Sequence, residues 1–234
     1  MASSEVIINP SFRVSVLLSF IAGYIDTIGF VAFAGLFMAH VTGNFVLIGA
    51  SIVSQHGGLI AKFLALPTFI AAIGLTMLIV HFCERRQRSA ISPLLMTQAF
   101  FLLLLMVMGL MLPDRSHPDS LLSILTGMMG VIAMGIQNAS GRLVFNDLAP
   151  STVMTGNVTQ VVIDTINFVR HRGDNSAEEK RIKKMLPAVL AFALGAISGA
   201  LFYHLMGFSA VAIAIGLLAI VWWNRAFPVA EKPI

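Results

Sequence analysis

The sequence predicts an all-α polytopic membrane helix bundle, and three observations carry that prediction. Hydrophobic residues make up 57% of the 234 and charged residues only 11%, where an ordinary soluble domain carries about 25% charged residues. Apolar stretches near the roughly 20 residues that a helix needs to cross a bilayer core recur along the whole chain. The two halves also repeat a set of polar landmarks in the same order, which points to an internal duplication with six to eight membrane segments.

Taken in order, the apolar segments fall at about 13–36, 42–55, 61–83, 92–112, 120–139, 151–169, 186–206 and 208–224. The opening Met1 to Pro10 is mildly polar, and no small-residue cleavage site follows the first apolar run. That run is therefore expected to stay in the mature protein. The second segment, Thr42 to Gln55, is too short to cross comfortably. The fourth is nearly all Leu, Met and Phe from Leu94 to Leu112, the composition of a lipid-facing helix without a site. The sixth is long enough but holds Thr152, Thr155, Asn157, Thr159, Gln160, Asp164 and Asn167. Segments 42–55 and 151–169 are thus the candidates for entering and leaving the membrane on one side. In the seventh, Ala191, Gly195 and Gly199 form a small-residue stripe that permits close helix contact, within the chain or between copies.

The repeated landmarks divide the chain into tails at 1–12 and 225–234 and repeats at 13–112 and 113–224, all one integral membrane domain. Gly23-Tyr24-Ile25-Asp26 matches Gly135-Ile136-Gln137-Asn138, Thr42-Gly43-Asn44 matches Thr155-Gly156-Asn157, and Leu66-Pro67 with Ala71 matches Leu186-Pro187 with Ala191. The distribution of basic residues bears on orientation. Arg85, Arg86 and Arg88 crowd one loop, and Arg170, Arg172, Lys180, Arg181, Lys183 and Lys184 another. Both belong on the cytoplasmic side by the positive-inside bias. An even number of crossings must then separate them, so one of the three intervening segments is re-entrant, and the polar sixth is the best candidate. If the second behaves likewise, six crossings remain, the repeats are inverted, and both termini are cytoplasmic. Eight crossings with parallel repeats is the competing count. Trp222 and Trp223, before Arg225, suit an interfacial anchor under either.

Asp26 lies about midway along the first segment, where an uncompensated carboxylate costs several kcal/mol, so it is expected to face the bundle interior or a wet cavity. Its counterpart Asn138 is neutral, an asymmetry that suits a single titrating site. Thr or Asn can cap a helix start, and Gly lets backbone approach a ligand. Interrupted segments at corresponding places in two repeats point to a transporter's central site. Asp26, Thr42, Gly43, Asn44, Gln137, Asn138, Thr155, Gly156, Asn157 and Asp164 are therefore the expected substrate- or ion-binding residues. His40 could exchange protons with Asp26 if the chain folds back, since imidazole titrates near neutral pH. The remaining histidines, His56, His81, His117, His171 and His204, are scattered with no metal-ligand spacing, and Cys83 is alone. No metal site and no cofactor are expected. Nucleotide-binding and hydrolase motifs are missing too, so the chain is not expected to be an enzyme.

The run Ala22-Gly23-Tyr24-Ile25-Asp26-Thr27-Ile28-Gly29-Phe30, then Phe37 and Thr42-Gly43-Asn44, resembles the YoaK-like family of bacterial membrane proteins. Gly135-Ile136-Gln137-Asn138-Ala139 followed by Thr155-Gly156-Asn157 is similar to that family's other hallmark. The resemblance spans most of the chain and implies a multi-pass protein of the bacterial cytoplasmic (inner) membrane, without a settled biochemical role. From the residues themselves, the expected function is a proton- or ion-coupled secondary transporter of a small solute with its site between the repeats. The alternatives are a passive channel and a non-transporting scaffold or assembly partner. The expected partners are the lipid bilayer, an unknown small solute or ion, and further copies of the chain, with no nucleic acid.

Overall fold

The computed structural model describes residues 10–54, 57–113, 118–170 and 176–226. His56, His117, His171, Arg172 and most of both tails lie outside these. Among the described residues the chain is helical, with no strand: α1 (Pro10–Ala32), α2 (Gly43–Ser54), α3 (Leu59–Arg85), α4 (Ile91–Leu110), α5 (Leu121–Leu143), α6 (Met154–Arg170), α7 (Ser176–Met206), a 3-10 turn at Gly207–Ala210, and α8 (Val211–Ala226). The helices α1, α3, α4 and α5 are each long and apolar enough to cross a membrane, as is the 49-residue run Ala177–Arg225. Gly207, at φ +59°, breaks that run into α7 and α8. By contrast α2 has 12 residues, about 18 Å of helix, well short of a bilayer core about 30 Å thick.

Burial follows what lipid demands of a bundle. Along α7, Leu190, Leu194, Ile197, Leu201 and Leu205 point outward, while Ala188 and Ala191 are buried. Side chains of this kind on a surface need hydrocarbon around them rather than water. The fourth helix departs from the sequence expectation. Met96, Phe100, Leu103 and Val107 do face outward, but Leu94, Leu95, Gln98, Leu102 and Leu105 are buried, and α4 packs on both α5 and α8. In a membrane both faces of such a helix are apolar, so hydropathy cannot tell the lipid side from the protein side.

Packing is exchanged between the two sets of four helices. The principal partner of α1 is α7, and α3 packs most on α5. At the first crossing a Cβ added to Gly23 would lie 2.2 Å from the Phe192 carbonyl oxygen, one on Gly195 2.2 Å from that of Phe20, and one on Gly199 2.4 Å from that of Tyr24. Only glycine permits backbones to meet so closely. The small-residue stripe of the seventh segment is therefore used within the chain. At the second crossing a Cβ on Gly135 would lie 2.7 Å from the Ala72 side chain.

Contacts along the helices fix their directions. Phe20 meets Gly195 and Tyr24 meets Gly199, so α1 and α7 run the same way. Thr68 hydroxyl donates to Met128 Sδ at 3.1 Å and Ala72 meets Gly135, so α3 and α5 also run together. Between these pairs the sense reverses. Gly127 and Gly130, early in α5, sit against Leu36 and Met38 just beyond the end of α1, whereas Gln137, late in α5, donates to the Leu18 carbonyl at 2.8 Å. Helix α8 opposes α4, since Phe208 lies on Gly109 while Trp222 donates to Ser92 at 3.1 Å. Arg13, Arg85, Arg86, Arg88, Arg142 and Arg225 consequently gather at the end of the bundle where α1 begins, and Arg181 and its neighbours lie in the first turns of α7 at that same end.

Candidate functional site

The site is built where α1 ends. Ala34 and Gly35, at φ +49° and +89°, take left-handed conformations, and the Gly35 amide donates to the Phe30 carbonyl at 2.9 Å. The chain reverses and returns alongside α1 to the level of Asp26, six residues or about 9 Å back from Ala32 along the helix axis. There Asp26 Oδ1 accepts from the amides of Met38 at 2.8 Å, Ala39 at 2.6 Å and His40 at 3.4 Å. Successive amides converging on one oxygen form an anion-holding nest. Asp26 Oδ2 lies 2.8 Å from His40 Nδ1. The carboxylate is 6% exposed and the imidazole 33%, so His40 links a buried acid to the accessible surface.

Asn44 holds the returned segment in place. Its Oδ1 accepts from the Phe37 amide and its Nδ2 donates to the Phe37 carbonyl, both at 2.9 Å. The Met38 side chain fills the space left by two glycines. A Cβ on Gly29 would lie 2.7 Å from Met38 Cγ, and one on Gly130 2.2 Å from its Sδ. His40 stands edge-on to Phe192 of α7 at 5.2 Å. Thr42 is exposed and Gly43 partly so, with Gly43 packed beneath the Phe37 ring.

The turn after α5 is held at the same sequence separations by neutral groups. Asn157 Nδ2 donates to the Pro150 carbonyl at 2.7 Å, seven residues back, the same separation as Asn44 to Phe37. Asn138 Nδ2 donates to Thr152 Oγ1 at 2.6 Å, fourteen residues on, as Asp26 reaches His40. Beside it, Gln137 donates to Ser151 Oγ at 3.0 Å and accepts from Gln98 Nε2 at 2.7 Å, all buried. Thr155 and Gly156 are exposed.

The expected residues thus fall into separate groups. Asp26, Gly43 and Asn44 cluster with His40. Gln137, Asn138 and Asn157 cluster with Gln98, Ser151 and Thr152. Gln137 touches the backbone at Leu18, eight residues or about 12 Å below Asp26 along α1. Asp164 is elsewhere, 1% exposed and gripped by Arg181 through Nε at 3.0 Å and NH2 at 2.7 Å, with Gln160 Nε2 at 3.0 Å. This bidentate pair ties α6 to α7. Sequence reasoning missed Gln98, Thr152 and Arg181. Gln98 did carry a signal, a lone amide within an apolar segment. Among the described residues no group of three His, Cys, Asp or Glu side chains is disposed to hold a metal ion.

Comparisons with known proteins agree with a membrane location. Residues 14–223 match the family described as Protein of unknown function (DUF1275). The chain is 27% identical over 210 residues to the UPF0700 transmembrane protein YoaK of Bacillus subtilis (strain 168), covering 86% of this chain and 90% of that one. No solved structure matches. A family match across nearly the whole helical region, together with five stretches suited to crossing a bilayer, makes this chain a membrane protein of the DUF1275, YoaK-like family.

Proposed function

We propose that this protein is a proton-coupled secondary transporter of a small solute, built from two inverted copies of a four-helix unit. In this reading it lies in the bacterial cytoplasmic membrane with six crossings and both termini cytoplasmic. The two units exchange partners, α1 with α7 and α5 with α3. Their first helices run in opposite senses, and most described basic residues gather at one end, as the positive-inside bias asks of inverted repeats. The short α2 and the polar α6 then act as re-entrant half-helices, each tied to the turn before it by its own asparagine.

The observation that carries the functional reading is the Asp26 nest. A carboxylate facing three amides and an imidazole, and no lysine or arginine among the described residues, changes its hold on the returned segment when it takes up a proton. In the charged form it grips the amides strongly, because hydrogen bonds to an ion are about twice as strong as neutral ones. Proton arrival through His40 weakens that grip and frees the 33–42 segment with α2. The Asn138–Thr152 bond cannot respond in this way, so one unit moves while the other holds. Rocking of one unit against the other around a fixed level is how such folds alternate access.

The test uses the full chain in proteoliposomes enclosing a pH-sensitive dye, challenged with amino acids, short carboxylates, sugars and polyols. One of these gradients should drive proton movement in the wild type, and Asp26→Asn should abolish that movement while saturable solute exchange persists. Solute flux in the wild type with no accompanying protons would reject the coupling. Flux without counterflow would replace the carrier by a passive channel.

A further inference from the structure

We infer that the groove between the start of α1 and the end of α8 binds an anionic glycerophospholipid, its phosphate at Arg13 and an acyl chain along Val16, Leu17 and Ile220. The groove has a volume of about 460 Å³ and is walled almost wholly by apolar atoms, with Phe12, Trp223 and Asn224 completing the rim. It stands on the flank of the bundle and includes none of the residues around Asp26, so solute transport does not account for it.

Three features select this occupant. The wall offers hydrocarbon and almost nothing else, which suits an acyl chain and gives a polar solute no partner. One turn along α8 from Ile220 the surface is uncrowded: a Cβ built on Gly216 meets nothing within 4 Å, and Ala212 and Ala219 are exposed. At the mouth the charge is positive and available. Arg13 is exposed and makes no ion pair among the described residues, whereas its neighbour Arg225 is taken by Asp147 at 3.2 Å. The mouth lies at the basic end of the bundle, at the depth of the headgroups, where anionic lipid is attracted by such residues. Trp223, 61% exposed, has the amphipathic ring that settles at this level. A second copy of the chain is the poorer occupant, because an axis normal to the membrane would bring its Arg13 to the same depth as this one.

The sequence has two tryptophans, which makes the site readable by fluorescence. In a Trp222→Phe chain reconstituted in phosphatidylcholine vesicles, Trp223 reports contact with acyl chains brominated on either phosphatidylglycerol or phosphatidylcholine. Brominated phosphatidylglycerol should quench with about a fivefold higher apparent affinity, and Arg13→Gln should equalise the two lipids. Equal quenching before that change overturns the proposal, as ordinary annular lipid. Should Trp222→Phe fail to fold after losing its bond to Ser92, the comparison is made on the unmodified chain with and without Arg13→Gln, since Trp223 alone borders the groove. A Cys83→Ser, Gly216→Cys chain that crosslinks to itself in vesicles containing phosphatidylglycerol would give the groove to a second copy and equally overturn it.

Discussion

His40 approaches Asp26 from fourteen residues downstream, its Nδ1 2.8 Å from the carboxylate, while its own amide turns toward the other oxygen of the same group. One side chain of α1 therefore organises a whole segment of backbone. Replacing it by alanine should leave the amides of Met38 and Ala39 buried without an acceptor, at a cost of about 3 kcal/mol. Asp26→Asn keeps an acceptor oxygen and should cost less. Hydrogen exchange measured by mass spectrometry should show residues 37–45 opening faster in the order wild type, Asn, Ala. Unchanged exchange in Asp26→Ala would mean that the loop holds itself.

At the α1–α7 crossing, Gly195→Ala places a methyl 2.2 Å from the Phe20 carbonyl oxygen, against backbone that cannot rotate away. Overpacking of this kind should destabilise the bundle by about 2 kcal/mol or more. Gly74→Ala adds a methyl that meets nothing within 4 Å and should be neutral or slightly stabilising, since helical glycine is less favourable than alanine by roughly 1 kcal/mol. Thermal midpoints of the two variants in one detergent decide this. Equal midpoints would remove the argument from backbone contact.

Arg181→Ala strands Asp164, 1% exposed at its side chain, with Gln160 as its remaining partner. Breaking such a pair from the cationic side should lower stability, though by less than for a fully buried pair because the Arg181 side chain is itself 44% exposed. Asp164→Asn combined with Arg181→Gln should recover part of the loss. If the double variant is as weak as the sum of the singles, the two residues are not coupled.

Reporter fusions after Arg88 and after Arg170 are expected on the same side of the membrane, and one after Leu112 on the other. The prediction follows from the directions of α3, α4 and α5, and from α6 leaving on the side where it entered. Opposite readings at Arg88 and Arg170 would reinstate eight crossings with parallel units.

Much of this was legible in the residues. Thr-Gly-Asn recurs because each asparagine ties down a carbonyl seven residues before it, and a small motif with a local task leaves a local signature. Asp26 was visible because charge in an apolar run is costly and must be compensated. What supplies the compensation was not visible, since the amides of Met38 and Ala39 are present in every sequence and only the reversal at Ala34 and Gly35 aims them. The pairing of Gln98 with Gln137 escaped for another reason. The two lie thirty-nine residues apart on different helices, and no periodicity links them. A single shared site was expected from the repeated motifs, yet the antiparallel setting of α1 and α5 carries the two turns to different depths.

The exchange of partners between the two sets of helices has a consequence for biosynthesis. When α1 leaves the translocon its glycine face has nothing to rest on, because Phe192 and Gly195 have yet to be translated. Until then Gly23 and the peptide groups around it must be shielded by lipid, by the insertion machinery, or by a temporary neighbour. Synthesised separately, neither set of four helices has its mate, so an expressed fragment ending near residue 113 should be degraded, and supplying the missing fragment in the same cell should rescue it.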